Sequence, residues 1–394
     1  MSSRTHYDAV IVGARCAGAA TAMLMARRGM KVLAIDRGGY GSDALSTHAM
    51  MRGAAIQLAR WGLLERVADS GAPPVPVTSF HYGDEIVEVA IKPAHGVDAL
   101  YAPRRTILDA LLVDAAREAG VEIRHGHALV DLVRRPDGRV EGVVAYDPAG
   151  HRVRVSADLV VGADGLGSTV ARLVEAPILR QGRHATSVAF GYWSGLRQDG
   201  YHWHSVPGAS AGLIPTNDGL TCVFLAVPPS VFARALRPDP AGLFPTLLGR
   251  VAPSLRDQTG NARQVGGLRL FAGHKGLFRQ AHGPGWALVG DAGYFKDPLT
   301  AHGITDAFRD AELLAEAAAD GSDAAFAAYA RIRDELSLDL FEVTDEIAAF
   351  QWDLAQLKDL HQELNRHMKR EAEHMAAFPA TGRPDRQLLA GGPG

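Results

Sequence analysis

Cysteine is scarce in this chain: among 394 residues only Cys16 and Cys222 occur. Two distant thiols cannot form a disulfide framework and lack the spacing of a metal site, so a reducing cytoplasm is the expected setting. Charge of one sign is not in excess either. Lys plus Arg total 41 and Asp plus Glu 44, and the net charge of −3 gives no general attraction to nucleic acid or to an anionic membrane. No run of about eighteen apolar residues is present, so no membrane span is expected. The apolar stretch near the N-terminus is broken by Gly13 and Arg15, and no export signal is read there. Internal repeats and low-complexity tracts are also missing. With 47% hydrophobic residues the chain can bury a large core over two to three domains, and the expected partner is a small molecule. Subunit number is not legible.

The first 36 residues spell strand, glycine turn, helix and strand. Asp8 to Val12 is a short β-branched run ending at Gly13, Ala17 to Arg28 is helical and closed by Gly29, and Lys31 to Ile35 is a second apolar strand ending at Asp36. Arg105 to Glu118 has apolar residues at helical spacing. Three runs, His127 to Arg134, Arg139 to Tyr146 and Arg152 to Ser156, are separated by Pro-Asp-Gly and Pro-Ala-Gly turns and predict an antiparallel meander. Asp158 to Val161 reads as a strand returning to a parallel sheet. Between about 179 and 269 alternating strands such as Ser187 to Trp193 and Leu220 to Val227 predict a separate antiparallel layer, and Trp286 to Val289 is one more buried strand. Beyond His302 the chain reads as helical almost to Phe378, including a helix from Leu336 to Arg370, and 379–394 reads as a disordered tail.

The turn Gly13-Ala14-Arg15-Cys16-Ala17-Gly18 carries the first and last glycines of G-x-G-x-x-G, with Arg15 in the middle position. Such a turn lets backbone amides and a helix N-terminus approach a pyrophosphate, and an arginine there can itself pair with phosphate. Asp36 stands at the end of the second strand, where a carboxylate accepts hydrogen bonds from ribose hydroxyls. That placement favours an unphosphorylated ribose, as in FAD or NAD.

Two further stretches each follow an expected sheet strand: Asp164-Gly165-Leu166-Gly167-Ser168, and Gly290-Asp291-Ala292-Gly293 leading to Pro298 and Gly303-Ile304. With these three signatures in order, the chain over residues 7 to 320 resembles the FAD-dependent monooxygenase superfamily that includes para-hydroxybenzoate hydroxylase, geranylgeranyl reductases and flavin-dependent halogenases. The resemblance implies an α/β fold: a Rossmann-type FAD-binding domain with a parallel sheet and β-meander (1–75, 100–178 and 270–335), an antiparallel-sheet substrate domain (76–99 and 179–269), and C-terminal helices (336–378). It implies that Gly13, Arg15, Ala17 and Gly18 surround the pyrophosphate and that Asp36 and Arg37 lie at the ribose. Arg105 would contact the ribityl and phosphate region, and Leu129 would lie beside the adenine. Asp164 and Gly165 would close the pocket, Asp291 would bond the ribityl chain, and Pro298 and the backbone from Ala301 to Ile304 would face the isoalloxazine. NAD(P)H would serve as a transient donor, since no second glycine-rich βαβ unit is present. Tyr294, Ala301, His302 and Thr305 replace the His, Gly, Gln and Asn usual in the family, which weakens any transfer of substrate.

Two histidines are candidate catalytic groups. His48, in the segment Asp43 to His48, is a polar flavin contact, an acid/base group or a loop residue. His302, beside Gly303, is an acid/base group near the ring or a structural hydrogen-bonding residue. Tyr192, Trp203 and Tyr294 are candidates for an aromatic-lined substrate pocket. His202 and His204 share a strand face, but with no third histidine or carboxylate nearby in sequence no metal site is expected. Monooxygenation by a flavin hydroperoxide, with molecular oxygen as co-substrate and a small organic, aromatic or natural-product substrate, is the leading reaction. Double-bond reduction of the geranylgeranyl reductase kind is the alternative, and a non-catalytic flavin-binding protein is a lesser one. Halogenation is disfavoured because Ser210 and Gly212 stand where halogenases carry two tryptophans before Ile214-Pro215.

Overall fold

A computed structural model describes residues 6–197 and 199–378; the tail expected at 379–394 lies outside the described residues. Strand His6–Val12 has an apolar core and pairs in parallel with Val32–Asp36 on one side and with Arg152–Gly162 on the other. Glu122–His125 and Trp286–Leu288 extend this sheet at its two sides, again in parallel. Runs buried on both faces read as continuous β-branched segments, which is why these strands were visible in the sequence. Helix Cys16–Arg27 buries Ala19, Ala20, Ala22 and Met23 against the sheet and against helix Gly303–Asp320. Its small side chains let the helices approach closely.

The meander has Ala128–Arg134, Val140–Tyr146 and Arg152–Gly162 as its antiparallel strands. Arg152 to Ser156 and Asp158 to Val161 are not two strands but one of 11 residues. Its first half closes the meander and its second half joins the parallel sheet. No glycine or proline interrupts 152–161, and buried Ala157 keeps the inside-outside alternation running through the junction.

The second layer is a seven-stranded sheet in the order Arg263–Phe271, Ser187–Ser194, Leu220–Val227, Ala209–Pro215, Tyr201–Val206, Val77–Tyr82 and Glu85–Ala90. All neighbours are antiparallel except Tyr201–Val206 and Val77–Tyr82. One face, with Val188, Phe190, Tyr192 and Phe224, packs on Leu340, Ile347 and Leu357 of the C-terminal helices and on Trp352 in the connection between them. The other, with Ala189, Trp193 and Leu225, packs on Phe244, Leu248 and Leu255 from helices Pro240–Val251 and Pro253–Asn261.

Instead of one helix from Leu336 to Arg370 there are two, Asp323–Ile347 and Leu354–Ala376. Phe350 takes a left-handed φ of 55°, the buried Trp352 Nε1 donates to Ile347 O at 2.8 Å, and Asp353 forms a capping box with Gln356. These contacts end one helix and start the next. Helix Asp323–Ile347 runs unbroken through position 335. Among the described residues no helix is long and apolar enough to cross a membrane.

Candidate active site

A cavity of about 640 Å³ lies between the ends of the parallel strands and the seven-stranded sheet. The glycine loop forms one end. Gly13 has φ +101°, and a Cβ there would stand 2.4 Å from Ala163 O; a Cβ on Gly18 would stand 1.8 Å from Gly13 O. Only glycine fits either place. The middle position needs no glycine, because the Arg15 side chain leaves the loop and donates to Ser42 Oγ at 3.3 Å and Asp43 O at 3.1 Å. Helix Cys16–Arg27 starts without a side-chain cap, and Gly13, Arg15, Cys16 and Ala17 line the cavity beside its first amides. The orphan donors of a helix start are a ready anion site. Asp36 accepts from Ala14 N at 2.7 Å and Gly38 N at 2.6 Å, and still lines the cavity with Arg37. A carboxylate has lone pairs left for ribose hydroxyls after two such bonds.

Arg105, Leu129, Asp164 and Gly165 line the middle of the cavity. The Arg105 guanidinium is held 3.0 Å from the Asp109 carboxylate. Asp164 accepts from Ser168 Oγ at 2.5 Å and from Thr169 N at 2.6 Å, which fixes the turn before helix Thr169–Leu173. At the far end stand Asp291, Pro298, Ala301, Gly303 and Ile304. Ala301 has a left-handed φ of 53°, and helix Gly303–Asp320 also starts without a side-chain cap. Burial, reinforced by the Asp306 charge, pushes the Asp291 carboxyl up to about 6. Two uncapped helix starts, a loop that excludes Cβ atoms and carboxylates at either end suit an extended dinucleotide such as FAD. Bound there, FAD would supply the redox chemistry, and Gly13 to Gly18 would hold the pyrophosphate and Asp291 the ribityl chain.

His48 lines the cavity with φ 50°, and its ring is buried. Nδ1 lies 3.1 Å from Ala102 O and must donate to it, so Nε2 accepts from Tyr192 Oη at 3.2 Å. Burial lowers its pKa to about 3, which makes the ring a neutral, fixed dipole rather than an acid/base group at neutral pH. Tyr192 stacks on His48 and lies under the Arg104 guanidinium, 4.6 Å from the ring centroid, but does not itself line the cavity. Asp43 joins Arg104 at 3.4 Å and Arg269 at 2.7 Å, tying the loop before His48 to the seven-stranded sheet.

His302 does not line the cavity. Its Nε2 donates to Glu371 Oε2 at 2.5 Å, and both side chains are buried. Glu371 Oε1 accepts from Arg309 Nη1 at 2.7 Å, Arg309 reaches Asp306 at 2.9 Å and Asp310 at 2.7 Å, and Asp306 pairs with Lys296. Burial alone would raise Glu371, but His302 and Arg309 outweigh it and hold the carboxyl well below its usual range. Only Lys296 and Asp306 of this chain of charges reach the cavity wall. His302 therefore sits in a buried hydrogen-bonded network outside the cavity wall. Tyr294 packs with Phe278 and Phe341, and Trp203 with Tyr201 and Phe224; neither lines the cavity. The aromatic wall comes instead from Phe190, Phe271 and Phe295 beside Val188, positions that carry no motif in the sequence. His302, Asp306 and Glu371 lie close enough to share an ion, yet Arg309 and Lys296 already take their carboxylate oxygens.

A family model described as an FAD binding domain matches residues 6–342. Among curated relatives, a 1H-pyrrole-2-carbonyl-[peptidyl-carrier protein] brominase of Pseudoalteromonas luteoviolacea is 25% identical, covering 82% of this chain and 80% of its own. A menaquinone reductase of Mycolicibacterium smegmatis is 26% identical, covering 80% and 77%. Among solved structures, a flavin-dependent brominase shares the fold with TM-score 0.79 at 20% identity, covering 96% of this chain and 95% of its own. One titled "a probable FAD-dependent monooxygenase from Pseudomonas aeruginosa" has TM-score 0.72 at 19% identity, covering 93% and 100%.

Proposed function

The chain belongs to the FAD-binding family that matches it over residues 6–342 and is an FAD-dependent oxidoreductase, and we propose that it inserts one oxygen atom into an apolar, electron-rich small molecule. The observation that carries this reading is the apolar wall of Val188, Phe190, Phe271 and Phe295 in the same cavity as the start of helix Gly303–Asp320. Such a wall orients a hydrocarbon or aromatic ring by dispersion and excludes water from the reacting face. The helix start favours negative charge on a reduced ring system next to it. The neutral pair of His48 and Tyr192 holds the loop behind that face without adding charge. NAD(P)H or a separate reductase supplies the electrons, and the cytoplasm is the compartment that two buried, unpaired cysteines suit.

Halogenation fits less well. A Cβ on Gly212 would stand 2.3 Å from the Phe224 ring and 2.7 Å from His202 O, so an indole has no room there, and buried Ser210 is 3.2 Å from Ser205 Oγ. Reduction of a double bond or quinone is the second reading, favoured by the relative named menaquinone reductase. The FAD-loaded enzyme is reduced without air and mixed with isotopically labelled oxygen and a panel of aromatic and polyketide-like compounds. One labelled oxygen atom per product supports oxygenation. A product reduced in the absence of oxygen overturns it.

A further inference from the structure

We propose that His81, His202 and His204 form a binding site for a divalent transition-metal cation, zinc in the first place, on the face of the seven-stranded sheet turned away from the flavin cavity. His202 and His204 alternate with Tyr201, Trp203 and Ser205 on strand Tyr201–Val206, so their side chains share one face. The neighbouring strand Val77–Tyr82 runs parallel and places His81 directly opposite His204. The antiparallel partners of His202 and His204 are Leu213 and Ala211, which belong to the core under helices Pro240–Val251 and Pro253–Asn261. The cavity-lining Val188 and Phe190 belong to the opposite face.

His81 Nε2 and His202 Nδ1 are 3.2 Å apart. Two nitrogens bound tetrahedrally to zinc at 2.0–2.1 Å are separated by about 3.3 Å, so this pair already has the spacing of a shared ion. In the metal-free arrangement a proton bridges the pair; a cation takes its place when His81 shifts that proton to its other nitrogen. The His204 ring stacks on His81 with centroids 3.9 Å apart, and among the described residues no hydrogen-bonding group meets its nitrogens. Ligation requires the His204 ring to turn about its side-chain torsions until a nitrogen faces the pair, a change between staggered wells. His202 Nε2 lies 3.1 Å from Asp199 Oδ1 and donates to it, an outer carboxylate of the kind that orients ligating imidazoles. Three imidazoles with a fourth position left to water make a donor set that suits zinc and other first-row divalent ions.

Untagged, FAD-loaded protein is freed of metal with a chelator and titrated with Zn²⁺ by calorimetry. One equivalent per chain is expected, with affinity at least ~10-fold lower in His81→Ala and in His204→Ala, and ~10 to 100-fold lower in Asp199→Asn. His151→Ala, on the exposed turn of the meander, should bind as the parent does. X-ray absorption at the zinc edge of the unsubstituted protein reads the ligands without any variant and should show three nitrogen neighbours. Absence of uptake, parental affinity in both His81→Ala and His204→Ala, or an oxygen-only ligand shell would each overturn the proposal.

Discussion

At the scale of single residues, Asp291 and His48 show how burial sets chemistry. The Asp291 carboxyl titrates near 6, above its unfolded value near 3.8. The sign follows from linkage: stability is greatest while the group is protonated in both states, and it is lost as pH rises through the folded value. The shift of about two units corresponds to up to about 3 kcal/mol, moderated by the part of the side chain open to the cavity. FAD-free Asp291→Asn should therefore match the parent near pH 4 and exceed it in denaturant midpoint above pH 6, while its FAD affinity falls roughly 10 to 100-fold with the loss of a charged acceptor. Equal midpoints at pH 8 would count against the burial argument. His48, held neutral with a pKa of about 3, should not shape the pH dependence of activity near neutrality. His48→Asn should lower turnover by loosening Tyr192 yet keep the parent's pH profile between about pH 5.5 and 8.5. A limb that disappears in the variant would restore the acid/base role.

Secondary elements carry the longer-range parts of the site. Helix Leu354–Ala376 lies beyond the family match, yet its Glu371 pairs with Arg309 and accepts the His302 Nε2 hydrogen bond, on and beside helix Gly303–Asp320, which lines the cavity. Removing one member of a buried ion pair leaves an uncompensated charge, so Glu371→Leu should cost about 3–5 kcal/mol in chemical unfolding. The double change Glu371→Leu with Arg309→Met should cost well under the sum of the singles, because each removes the other's burial penalty. Additive effects would mean that the two side chains act independently. The spacing of Gly13, Gly18 and Asp36 was legible because one turn and one strand end impose it locally. The role of His302 was not, since its partner lies 69 residues on and no periodicity in helix Leu354–Ala376 marks Glu371 as inward and charged. His81 and His202, 121 residues apart, were invisible as a pair for the same reason: parallel pairing of their strands is a product of topology. One error was local. The strand Arg152–Gly162 passes from the meander into the parallel part of the same sheet without a turn, and turn residues are what divide strands in a sequence.

For the molecule as a whole, the cavity is a seam. Its walls come from the glycine loop, from residues 44–49, from the start of helix Gly303–Asp320 and from strands Ser187–Ser194 and Arg263–Phe271 of the other layer. A ligand filling such a seam stabilises both sides at once, by about 4 kcal/mol when free FAD exceeds its dissociation constant a thousandfold. Apart from the ligand, the contacts that join the layers include the Asp43 ion pair with Arg269, the His48–Tyr192 hydrogen bond, the bond from Thr216 Oγ1 to Ala102 O and the packing of the C-terminal helices on the sheet. Helices Pro240–Val251 and Pro253–Asn261 sit on the far face of that sheet and touch none of the seam. Removal of FAD should thus raise amide hydrogen exchange in residues 37–49, 163–169 and 296–303 and leave these two helices unchanged. Equal acceleration everywhere would point to global destabilisation, and unchanged exchange in the three segments would mean that the cavity does not hold the cofactor.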